Sequence, residues 1–194
     1  MVTPDDVLAF WFGPNGPQGP IPDEVRSRWW KKDSAFDDEI RRRFAEAHAE
    51  ACAGELDGWC ETARGRLAVV IVLDQFSRNL HRGDPRSWAY DGAAQKHCLA
   101  LIGAGGDREL PPEGRAFLYM PLMHAEDREL QARSVAAFEA LGREHPDLAG
   151  LQRYAVQHAA IVDRFGRFPH RNAILDRDST DEELAFLEQP GSSF

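Results

Sequence analysis

Two stretches of the sequence concentrate side chains able to hold an anion. Leu73-Asp74-Gln75-Phe76-Ser77-Arg78-Asn79-Leu80-His81-Arg82 and Val162-Asp163-Arg164-Phe165-Gly166-Arg167-Phe168-Pro169-His170-Arg171 stand 89 residues apart and agree at five of ten positions. In each, an acid precedes an arginine by four residues, the favourable order for an ion pair along a helix, and cations near a helix C-terminus complement its carbonyl-rich pole. On the plainer reading both segments are helix stops. On the functional reading two helix ends meet across a cleft and direct Arg78, Arg82, Arg164, Arg167 and Arg171 at one carboxylate or phosphate, the groups a guanidinium fork matches. The second stretch carries the stronger signal. From Arg164 to Arg171 it has three arginines and His170 with no acid, in a chain of net charge −9. Gly166 and Pro169 interrupt the helix there, so backbone amides also become available to a ligand. Asn79 and Asn172 would orient the anion or the turns.

Candidates for proton transfer are Asp74, His124, Glu126 and His158. Asp74 follows an all-apolar run, and His158 shares a helical face with Ala155, Ile161, Val162 and Phe165, so both fall near the interior. A satisfied core histidine is one reading of His158. Brought together, the four groups would have their pKa values driven apart by burial and charge, as general acid and base roles require. Two histidines and two carboxylates also suit a metal by type, but no paired ligand spacing accompanies them, so neither metal nor cofactor is expected. Trp29 and Trp30 beside Lys31 and Lys32 offer a stacking wall, or a plug for the core.

Familiar catalytic signatures are absent. The sequence has no phosphate-binding G-x-x-x-x-G-K-[ST], no H-E-x-x-H and no G-x-S-x-G. Gly103-Ala104-Gly105-Gly106-Asp107-Arg108 reads as a glycine-rich helix stop. His124-Ala125-Glu126 matches half of a zinc-deaminase signature without the P-C-x-x-C that completes it. Cys52, Cys60 and Cys98 form no C-x-x-C and are odd in number, so they read as small buried hydrophobes.

The elements that must position these groups are helices. Apolar residues recur at helical spacing nearly throughout, and almost nothing alternates with period two. Thr3-Pro4-x-Asp6 opens a short helix that Gly13 and Pro14 stop, and Gly13 to Pro22 is a loop. Asp23 starts a second helix toward Trp29-Trp30, and a long one carries Phe36, Ile40, Phe44, Ala47 and Ala51 from Asp33 to Gly54. From about Thr62 to Ser77 runs the most apolar helix, whose terminal polar residues should be buried. Others follow at Pro85 to Ile102, Pro112 to His124 with a kink at Pro121, Glu126 to Arg143, Pro146 to Phe165, and Thr180 to Leu187. Short connections predict antiparallel hairpins. At 194 residues, with no interior linker, the chain is expected to be a single all-helical domain spanning 1–194 with eight or nine helices.

Five dispersed motifs carry a family likeness over nearly the whole chain. Phe10-Trp11-Phe12-Gly13, Trp29-Trp30-Lys31-Lys32-Asp33, Leu73 to Asn79, Tyr119-Met120-Pro121-Leu122-Met123-His124-Ala125-Glu126 and Arg164 to Asn172 together resemble the bacterial "domain of unknown function 924" family. The resemblance implies a tetratricopeptide-like, all-helical stack of hairpins and no particular activity. It also implies Pro at Ser77, Ser at Ala125 and Gly at Asp176, where this sequence departs.

An acidic chain, 32 acids against 23 bases, disfavours nucleic acid and anionic lipid as partners. The longest apolar run, Leu67 to Leu73, is too short to span a bilayer, and no leader is recognisable, so a cytoplasmic location is expected. The leading functional expectation is a small anionic ligand in an arginine-rich cleft, with or without turnover. The alternative is a tetratricopeptide-like module that binds a peptide or protein along a concave face.

Overall fold

A computed structural model describes residues 1–193, and among these there is helix and no strand. Helix α1 (Pro4–Phe12) starts on a capping box in which Thr3 and Asp6 satisfy each other's backbone amides. Helices α2 (Asp23–Arg28) and α3 (Ser34–Ala53) follow, the latter capped by the Asp33 carboxylate and ended by Gly54. Helix α4 is composite. An α-helical part, Ala63–Val70, passes into a π-helical turn, Ile71–Phe76, and resumes as Ser77–Leu80. Then come α5 (Asp91–Gly103), α6 (Pro112–Met123, with Pro121 inside it), α7 (Arg128–Glu144), α8 (Gly150–Phe165) and α9 (Asp181–Leu187). The short segments Pro85–Ser87 and Pro146–Leu148, expected within helices, are separate 3-10 turns.

The helices group into two compact units, one comprising Met1–Arg82 and Arg86–Pro121, the other Gly83–Pro85 and the chain from Leu122 onward. In the first, every residue of α4 from Leu67 to Leu73 is buried. Around it lies an aromatic cluster in which Phe10 stacks on Phe36 at 5.3 Å, Phe44 contacts Phe76 at 5.0 Å and Trp29 meets Phe117 edge-on at 4.7 Å. In the second unit α7 and α8 pack along each other, and Ile161, Val162 and Phe168 form a core with Phe165 and Phe186 at its margin.

The paired motifs are not equivalent helix stops. After Asp74 the helix continues to Leu80, and the π turn carrying Asp74 widens the backbone by one residue. After Asp163 the helix ends at Gly166, whose φ of 72° is the left-handed conformation a glycine supplies. Arg167 therefore lies outside the helix and pairs with Glu183 instead of forming the expected i,i+4 pair with Asp163.

Candidate functional site

Within the first unit, the polar end of α4 is buried as its sequence requires, and its charges are matched. Asp74 is fully buried, and Arg78 spans two carboxylates, at 3.1 Å from Asp74 and 2.9 Å from Asp91, while also donating to the Asp74 carbonyl. Burial opposes the Arg78 charge, but the two carboxylates outweigh it and raise its pKa. Asn79 and Arg82 both donate to the buried Asp37 carboxylate. Trp29 plugs the aromatic core and donates its indole N–H to the Trp11 carbonyl, whereas Trp30 stands 61% exposed.

The remaining predicted residues lie in the second unit, and each arginine is engaged there. Arg164 pairs with Glu182 at 2.7 Å and lies over the Phe165 ring; Arg167 grips Glu183 with two hydrogen bonds of 2.7 Å. Arg171 donates to the His124 carbonyl and covers the Phe168 ring. Asn172 donates to the Ser179 hydroxyl. Glu126 accepts the Phe168 amide at 2.7 Å and two hydrogen bonds from Arg177. Burial opposes its ionisation, but the Arg177 and Phe168 hydrogen bonds prevail and lower its pKa, so it stands as an ionised acceptor with both oxygens occupied. His124 and His158 lie 6.2 Å apart between ring centroids. His158 donates Nδ1–H to the Tyr154 carbonyl, and burial, reinforced by His124, pushes its pKa down to about 3. Burial takes His170 down to about 4, with Arg171 adding to the effect. Asp74 belongs to the first unit and His124, Glu126 and His158 to the second.

The first unit also holds an open cavity of about 520 Å³, lined by Arg41, Ala45, His48, Ala49, Cys52, Ala53, Leu80, His81, Arg86 and Tyr90. No acid stands among these side chains. The α3 contribution is one helical stripe, residues 41, 45, 48, 49, 52 and 53, in which three alanines leave the room and Arg41, His48 and Cys52 supply the polar groups. The sequence signal for this site is that small-residue stripe crossed by an i,i+4 His-x-x-x-Cys pair, a pattern that clustered arginines do not reveal. His48 Nε2 lies 2.8 Å from Ser77 Oγ, whose own proton goes to the Leu73 carbonyl at 2.6 Å, so the histidine is the donor in this pair. Ser77 is consequently no nucleophile: it is fully buried, and its hydroxyl ties the π turn to α3. Burial, with His81 assisting, lowers the His48 pKa to about 4 and keeps the ring neutral at pH 7. Burial raises the Cys52 thiol, so it too is neutral at that pH.

Residues 7–191 match the model of a family described as bacterial protein of unknown function (DUF924). The chain belongs to this family. A solved structure of a protein of unknown function from Agrobacterium tumefaciens is similar to this DUF924 chain over 95% of its length and 96% of the other's. The two share 40% identity and a TM-score of 0.83. No protein with a curated description matches the chain. The backbone also accounts for one departure from the family pattern: Asp176, where glycine is expected, has φ of 53° in the left-handed region.

Proposed function

We propose that the protein binds a small compound bearing a carboxylate or phosphate in the cavity between α3 and the residues following α4. The carrying observation is the lining itself: two arginines, two histidines and a tyrosine, with no carboxylate among them. Its volume falls in the range of small-molecule sites. Arg41 and Arg86 supply charge, while neutral His48, whose one N–H is committed to Ser77, forms part of the wall. Arg41 also pairs with Asp38 and donates to the Leu80 carbonyl, so an anion would compete for its N–H groups. The site therefore supports binding rather than nucleophilic catalysis. A cytoplasmic protein with no nucleic-acid or membrane partner agrees with the acidic balance; among the described residues no helix is long and apolar enough to cross a membrane. The tetratricopeptide-like reading, with a peptide as partner, draws its support from the α7–α8 hairpin, which leaves Tyr154 43% exposed.

Thermal unfolding in phosphate, sulfate, succinate and citrate at matched ionic strength tests the proposal. A ligand at a hundred times its Kd stabilises by about 2.7 kcal/mol, which for a chain of this size raises Tm by roughly 5–10 °C. Arg86→Gln and His81→Gln should lose the rise, and Arg167→Gln should keep it. No rise with any anion, or a rise that Arg86→Gln and His81→Gln leave intact, would refute this site.

A further inference from the structure

A second cluster of ligating side chains, distinct from the cavity, lies on the turn that leads into α4. Residues Asp57–Glu61 form a 3-10 helix, in which side chains three apart eclipse, so Asp57 and Cys60 share one face. Helix α5 sets His97 against that face. Cys60 Sγ is 3.5 Å from His97 Nδ1, Asp57 Oδ1 is 3.8 Å from His97 Nε2, and one donor atom of each residue lies within 4.8 Å of the other two. Sulfur, imidazole and carboxylate are the donors zinc prefers. With Zn–S of about 2.3 Å and Zn–N of about 2.0–2.1 Å, a tetrahedral angle places sulfur and nitrogen about 3.5 Å apart, which is the separation found. The Asp57 carboxylate stands beside Nε2 and is 70% exposed, so it would have to turn toward the Nδ1 side to join the sulfur.

The turn is held in advance of any ion. Gly65 lies so close beneath it that a Cβ there would stand 2.0 Å from the Trp59 carbonyl oxygen, and the Thr62 hydroxyl accepts the Gly65 amide. Arg66 donates to the Cys60 carbonyl at 2.9 Å and to His97 Nδ1 at 3.4 Å, a hydrogen bond that an ion on Nδ1 would displace. Its charge favours the thiolate, offsetting part of the burial that raises the Cys60 thiol, and it repels an incoming cation. The site is thereby suited to an exchangeable ion rather than to one that holds the fold together.

We propose that Asp57, Cys60 and His97 bind a zinc ion, with water in the fourth position. On binding, the Cys60 S–H bond breaks, its proton passes to solvent, and the thiolate sulfur takes the vacated direction toward the metal, so affinity rises with pH.

Cobalt(II) serves as the probe on the full chain freed of metal by a chelator. One equivalent should give the intense near-ultraviolet thiolate-to-cobalt absorption, which zinc then abolishes by displacement. Cys60→Ser and His97→Gln should lower the apparent cobalt affinity at least tenfold, and Cys52→Ser should leave it unchanged. Zinc should also slow alkylation of Cys60 by iodoacetamide in the unmodified protein, read by mass spectrometry, a measurement independent of whether the variants fold. Absence of the band, loss of the band with Cys52→Ser in place of Cys60→Ser, or alkylation of Cys60 at the same rate with and without zinc would overturn the proposal. Each of these results is independent of anion binding in the cavity.

Discussion

Replacing Glu126 by glutamine separates a structural carboxylate from a catalytic one. Glu126 accepts three hydrogen bonds, at 2.6 and 2.9 Å from Arg177 and 2.7 Å from the Phe168 amide, tying the residues after α6 to the turn after α8. Glutamine keeps one acceptor but points an NH2 group at a donor where the other stood. A hydrogen bond to a charged group contributes about 1.5–3 kcal/mol, and partial exposure of the pair brings the expected loss to about 2 kcal/mol. For a chain of this size that is a fall in Tm of roughly 4–8 °C. The sign of the pH dependence follows from the Glu126 pKa, which is lower in the fold than its ordinary 4.5. The stabilisation is complete above the unfolded value and is lost as pH falls through the lowered folded value. The gap in Tm between the unmodified protein and Glu126→Gln should therefore be full at pH 7 and close in strong acid. Thermal melts across that range decide the matter. No gap at pH 7, or a gap as large in acid as at neutrality, would refute the role given to the ionised carboxylate.

Two further substitutions probe the backbone. Asp176→Gly should stabilise the protein by up to about 1 kcal/mol, because glycine adopts the left-handed conformation at 176 without the side-chain penalty; urea unfolding showing a loss would contradict that. Gly65→Ala should cost about 1–3 kcal/mol, since its methyl cannot fit against the Trp59 carbonyl, and should also weaken cobalt binding by displacing Cys60 from His97. Unchanged stability and unchanged cobalt affinity would deny that close approach its importance.

Most helices were legible because their signals are local. Thr3-Pro4-x-Asp6 and Thr180-x-x-Glu183 are capping boxes in the sequence and in the fold, and the apolar run from Leu67 to Leu73 is as buried as its composition demands. The π turn was not legible, since the register shift that makes it leaves no periodic trace in six residues. Its consequence was missed with it: Asp74 and Arg78 fall inside a continuing helix, where Asp91 joins them from α5. The candidate arginines illustrate a second limit. Their clustering is plain in sequence, but the partners that engage them, Glu182 and Glu183, begin a helix more than ten residues further on. The cavity residues are drawn from three separate stretches, 41–53, 80–81 and 86–90, none of which carries a motif alone. The same holds for His97, which reaches Cys60 across 37 residues.

A crystal soaked in selenate and examined for anomalous scattering would locate the oxyanion site against α3. The expected result is a selenium peak inside the cavity, with oxygens in hydrogen-bond reach of Arg86 or Arg41 and of His81. Peaks confined to the arginines between Arg164 and Arg171, or none within the cavity, would contradict it.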